Sequence, residues 1–155
     1  MRVRGSYEPY ALEYEVLHDG TALIRFCENI TPFEESGENG GLPATGWEYD
    51  RYTLRRTHTE ELHTKVATNT AKWLEYARQE EYNTIAAEVR NKRDELLAKT
   101  DKTQIPDSPL SDDTRAEYQA YRQLLRDIPE QTGFPYEVVW PEKPSQANGP
   151  EPVPY

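Results

Sequence analysis

Residues 12–30 read LEYEVLHDGTALIRFCENI, and the fold class follows from them. Leu12, Tyr14 and Val16 alternate with Glu13 and Glu15 at the period of two that a half-buried strand requires. Asp19-Gly20 supplies turn chemistry, and alternation resumes with Ala22, Ile24 and Phe26 on one face. This predicts a β-hairpin. Cys27 falls on the other face with Arg25, as a small half-buried residue rather than a nucleophile.

On the C-terminal side, residues 31–46 (TPFEESGENGGLPATG) mix Pro, Gly and acidic residues without periodicity and predict a mobile loop. The next run, WEYDRYTLR, puts Trp47 and Tyr49 in one phase and Tyr52 and Leu54 in the other, so a third strand with a bulge near Asp50 or Arg51 is expected. Three antiparallel strands expose one apolar face that must be covered. A cover follows at once. Leu62, Val66, Thr70, Trp73 and Ala77 recur at three and four residues, with Thr59 as N-cap and Glu60 and Glu61 in the first turn. Ile85, Val89, Leu96 and Leu97 carry a sparser stripe through 82–99, and pattern alone leaves open whether Tyr82-Asn83-Thr84 interrupts the helix.

Residues 100–110 (TDKTQIPDSPL) hold two prolines and predict an extended connection. Ser111 then caps a helix with Asp112 and Asp113 in its first turn and Tyr118, Tyr121, Leu125 and Ile128 on one face. Pro129 ends it. PYEVVWP is a short extended segment, and the proline-rich residues after Pro144 predict a polyproline-like or disordered tail. The expected architecture is α+β: a small antiparallel three-stranded sheet packed by a long helix (1–80), a helical arm (81–100), a helical region closed by the Trp-Pro segment (101–144), and a flexible tail (145–155).

Composition bounds the function. With 35% hydrophobic and 30% charged residues, the cores must be small and rely on the 11 tyrosines. A net charge of −10 opposes phosphate backbones and anionic lipid, so a protein partner is expected, with no nucleic acid and no membrane. No apolar run approaches the ~20 residues of a bilayer span and no signal-peptide pattern begins the chain, so a cytoplasmic location is expected. One cysteine permits no internal disulfide.

Chemistry is hard to place. His58 and His63 are five apart, where two helical metal ligands want four. Glu34-Glu35, Glu60-Glu61 and Asp112-Asp113 fall in loops or first turns as solvated charge. Gly37, Gly40 and Gly41 lack the flanking strand, helix and lysine of a phosphate loop. No catalytic, cofactor or metal site is expected, and the chain is read as non-enzymatic. Trp47 and Trp73 have core roles on the sheet and its covering helix. Trp140 either docks on the Tyr118/Tyr121/Leu125 face or inserts into a partner.

Residues 98–144, AKTDKTQIPDSPLSDDTRAEYQAYRQLLRDIPEQTGFPYEVVWPEKP, resemble the C-terminal region of bacteriophage tail assembly chaperone and tail fibre assembly proteins. The resemblance rests on Asp101, Thr103, Pro106, Asp107, Pro109, Leu110 and Ser111, then Tyr118, Tyr121, Arg122, Leu125, Arg126 and Asp127, then Val138, Trp140, Pro141 and Pro144. Lys102 and Tyr118 stand where such proteins commonly have tryptophan. The N-terminal part looks like small tail-operon proteins of phages of Gram-positive bacteria. The resemblance implies a protein that binds a tail fibre or receptor-binding protein and assists its folding or attachment. Tyr118, Tyr121, Arg122, Leu125, Arg126, Trp140 and Pro141 would form the partner surface. An alternative is a structural baseplate adaptor that remains in the virion or in a tail-like bacteriocin particle.

Overall fold

The computed structural model describes residues 2–35 and 43–145. The chain divides into two compact units, Met1–Tyr82 and Asn83–Tyr155. The first holds strands β1 (Arg2–Gly5), β2 (Leu12–Val16), β3 (Thr21–Glu35) and β4 (Ala44–Thr57), then helix α1 (Leu62–Thr68). Helix α2 (Thr70–Thr100) begins in it and ends in the second unit, which continues with a 3-10 turn at Asp101–Gln104, helix α3 (Asp112–Arg126) and a 3-10 turn at Ile128–Glu130. The protein is α+β.

The hairpin forms as expected, with Leu12 opposite Phe26 through Val16 opposite Ala22. Its turn works because Gly20 adopts a positive φ of 78°, and because the Asp19 carboxylate accepts from the Thr21 N–H at 3.0 Å and hydroxyl at 2.5 Å.

The sheet has four antiparallel strands, ordered β1-β4-β3-β2, where the residue pattern predicts three. The extra strand is Arg2–Gly5, whose RVRG carries too little apolar alternation to register as one. Polar and steric features place it instead. Arg2 and Arg4 both pair with Glu48, at 2.7 and 3.2 Å, and Arg4 also reaches Glu35 at 2.5 Å. Gly46 allows the approach, since a Cβ there would lie 2.5 Å from the Gly5 carbonyl oxygen.

The bulge lies on β3, not β4. Glu28 faces Asp50 but Thr31 faces Glu48, so β3 carries one extra residue, and Asn29 takes a φ of 50° there while its amide donates to Asp50 at 2.7 Å. β4 stays regular, so the pairs Trp47/Tyr49 and Tyr52/Leu54 occupy opposite faces. Tyr52 and Leu54 join the core, whereas Tyr49 is buried outside it, opposite Val3 on β1. Trp47 is therefore not part of the sheet core. It lines a shallow groove with Pro32, Phe33 and Gly46. Residues 31–35 and 44–46, expected in a loop, are strand. The rest of that expected loop, and the expected tail after Ser145, lie outside the described residues.

The core of the first unit joins Ala22, Ile24, Phe26 and Leu54 from the sheet to Leu62, Val66 and Ala77 from the helices, with Trp73 and Leu74 packed at its edge. A buried Ile, Leu, Val or Phe contributes roughly 1.5–3 kcal/mol, so this face outweighs the strand polarity opposing it. The helical stripe survives a break at Asn69, whose N–H bonds Val66 O while its own carbonyl accepts from Trp73. No break occurs at Tyr82-Asn83-Thr84, which lie inside α2. Thr59 does not cap α1 through its side chain. Its backbone carbonyl accepts from Leu62 N, and the helix starts two residues later than the pattern predicts.

Candidate functional site

The second unit is built on α3. Ser111 caps it as expected, its hydroxyl oxygen accepting from Thr114 N at 3.2 Å, with Asp112 and Asp113 in the first turn where the helix dipole favours them. Tyr118, Tyr121, Leu125 and Ile128, spaced three, four and three apart, are all buried. They pack against Val89, Leu96 and Leu97 of α2, and against Leu110, Phe134, Val138 and Trp140. Burial, with the neighbouring Tyr118 second, pushes the Tyr121 phenol above its ordinary pKa.

Trp140 docks back. It packs at the edge of this core, and the Lys92 ammonium lies 4.1 Å from its ring centroid. Arg90 stands over Phe134 in the same way at 5.2 Å, so two cations two residues apart on α2 each meet an aromatic ring of the closing segment. The Tyr118 hydroxyl donates to Pro144 O at 3.2 Å and fastens the end of that segment.

Arg122 has an internal role. Its Nη1 donates to Leu97 O at 2.6 Å and to Thr100 Oγ1 at 2.8 Å, and its Nη2 pairs with Asp101 at 2.8 Å. Leu97 and Thr100 lie in the C-terminal turn of α2 and Asp101 just past it, where carbonyls lack helical partners and a cation is favoured. Thr100 is itself buried and donates back to the carbonyls of Leu96 and Leu97. The guanidinium thus ties α3 to the end of α2.

The seven residues expected to form one partner surface separate into three groups. Tyr118, Tyr121 and Leu125 are interior, and Arg122 is committed to α2 with its side chain only 12% exposed. Arg126 is exposed in the last turn of α3, while Trp140 and Pro141 are half-buried at the surface. The periodicity that marks a helical face cannot tell a face turned to a partner from one turned to the unit's own core. Further apolar side chains stand out from this unit: Ile105, Leu124, Tyr136 and Val139, exposed by 46%, 55%, 56% and 77%.

Elsewhere, the Tyr14 hydroxyl lies 3.0 Å from His58 Nδ1, and the Tyr14 ring meets His63 edge-on, which gives both histidines packing partners. Among the described residues no group of three or more His, Cys, Asp or Glu could hold a metal ion, and no helix is long and apolar enough to cross a membrane. Burial, then the Glu13 charge, raises the Cys27 thiol, which opposes the thiolate needed for reactivity.

The second unit is therefore a small helical module closed by an aromatic segment. Residues 86–145 match the family model described as phage tail assembly chaperone protein. The match begins inside α2, upstream of the motif residues at 98–144, and so takes in Val89, Lys92, Leu96 and Leu97. These residues complete the core around α3 and the seat of Trp140. No curated protein and no solved structure matches the chain.

Proposed function

We propose that this chain is a non-enzymatic tail assembly chaperone that binds a tail fibre or receptor-binding protein and assists its folding or its attachment to the tail. The supporting observation is the coincidence of the matched segment with one physical object. Residues 86–145 contain the complete apolar core of the second unit and the exposed groups on it. The interior tyrosines and Arg122 stiffen this unit, and Arg126, Tyr136 and the outer edges of Trp140 and Pro141 meet the client. Arginine and aromatic side chains on a rigid support are the residue types that dominate interfaces. The work is done in the cytoplasm of the bacterial host during assembly.

Co-expression with the tail fibre protein of the same phage or prophage tests this. The wild-type chain is expected to raise soluble fibre yield and to be captured with the fibre on affinity purification. Arg126→Gln combined with Tyr136→Ala should lower capture at least several-fold while shifting the thermal melt little, because both side chains are exposed. Equal capture by wild type and the double variant would count against this surface. Persistence of the chain in gradient-purified particles at a fixed ratio to the fibre would favour a structural adaptor instead.

A further inference from the structure

Val139 is 77% exposed, yet its main chain is held in place. Gln131 Nε2 donates to Val139 O and Val139 N donates to Gln131 Oε1, both at 2.9 Å. One side-chain amide thus fills the place that a neighbouring strand would take. The bend between them is tight: Glu137 N donates to Gly133 O at 2.7 Å, and a Cβ on Gly133 would lie 2.3 Å from Glu137 O. Flanking Val139, Val138 and Trp140 turn into the core. A single exposed valine is ordinary, but one on so fixed a backbone is ordered before anything binds, which lowers the entropy lost on association.

An open groove of about 730 Å³ adjoins it, lined by Glu130, Gln131, Gly133, Glu137, Val138 and Val139 among others. Two carboxylates are its only charged lining.

We propose that this groove takes an extended segment of the client tail protein, one with an aliphatic side chain flanked by lysine or arginine. The proposal rests on the chaperone reading and adds the chemistry of the client. The aliphatic side chain packs beside Val139, and its cations face Glu130 and Glu137. An acidic segment meets like charge there and is rejected, as it is by a chain of net charge −10.

The test uses the full-length chain against overlapping immobilised peptides that tile the tail fibre protein, alongside capture of the intact fibre. Bound peptides are expected to carry Lys or Arg beside an aliphatic residue and to release as salt is raised. Val139→Asp and the pair Glu130→Lys/Glu137→Lys should each weaken binding about tenfold or more. Gln131→Leu, which removes the clamp but no charge, should weaken it less. Thermal melts of the wild type and of the Val139 and glutamate variants should coincide, since all three positions are on the surface. If the wild type captures no fibre, the chaperone reading and this proposal both fall. If it captures fibre but the peptides bound are acidic, or both groove variants bind as the wild type does, the groove proposal alone falls. A wild-type dimer that Val139→Asp turns into a monomer would identify a second copy as the occupant and overturn it.

Discussion

Arg122 shows how one side chain can look like an interface anchor and serve the interior. Its two donated bonds to the end of α2 are short and mostly shielded, whereas its ion-pair partner Asp101 is 65% exposed. The hydrogen bonds should therefore outweigh the ion pair. Arg122→Met keeps the apolar stem but removes the charged donor from Leu97 O, which keeps the Thr100 hydroxyl, and from the buried Thr100 Oγ1, and should cost about 2–3 kcal/mol in urea unfolding. Asp101→Asn should cost less than about 1 kcal/mol, as exposed ion pairs do. Equal losses in the two variants would show that the ion pair, not the cap, carries the contact. Arginine beside two tyrosines is legible in the residue string as a matched motif, but its target is not, because Leu97 and Thr100 are more than twenty residues away.

At the scale of elements, α3 follows its local chemistry throughout. Cap, charged first turn, apolar stripe and the stop near Pro129 are encoded within about one helix length, so each was readable from neighbouring residues. Ser111→Ala should cost about 1 kcal/mol, and Ser111→Asn should restore most of it, as measured by equilibrium denaturation. A loss well below that would mean the Ser111–Thr114 bond is idle. Elements set by distant partners were less legible. β1 exists because Glu48 and Gly46 of β4 receive it, and the register shift sits at Asn29 because Asp50 across the ladder accepts its amide. The phase change between Trp47/Tyr49 and Tyr52/Leu54 suggests a bulge in β4, but β4 is regular and the two pairs take opposite faces, while the extra residue lies on β3.

For the whole molecule, pH acts through groups spread along the chain. Hydrogen bonds from Thr21, then the charge of Arg55, hold Asp19 below the usual carboxylate range, and bonds from Arg2 and Arg4 do the same for Glu48. The unfolded chain takes up these protons first, so this stability is present above about pH 4 and is lost as pH falls through the depressed folded-state values. Burial raises the phenols of Tyr14, Tyr52 and Tyr121. Their contribution is full below about pH 10 and is lost as pH rises through the elevated folded-state values. Urea unfolding across this range should show both limbs. Glu48→Gln should flatten the acid limb and Tyr121→Phe the alkaline one relative to the wild type, whose net charge of −10 at pH 7 they change by one unit and not at all, respectively. Unchanged slopes would assign the pH response to that net charge alone. The α+β class, the hairpin, the α3 face and the tail-assembly resemblance were determined by the sequence alone, since each depends on periodicity, turn chemistry or motif order within a short span. Only the tertiary structure decided that Trp140 closes onto its own unit beneath Lys92, that Arg122 and the tyrosines face inward, and that Val139 is fixed outward by Gln131. Those outcomes depend on which of several chemically equivalent partners lies within reach after folding, and reach is a property of three-dimensional packing rather than of spacing along the chain.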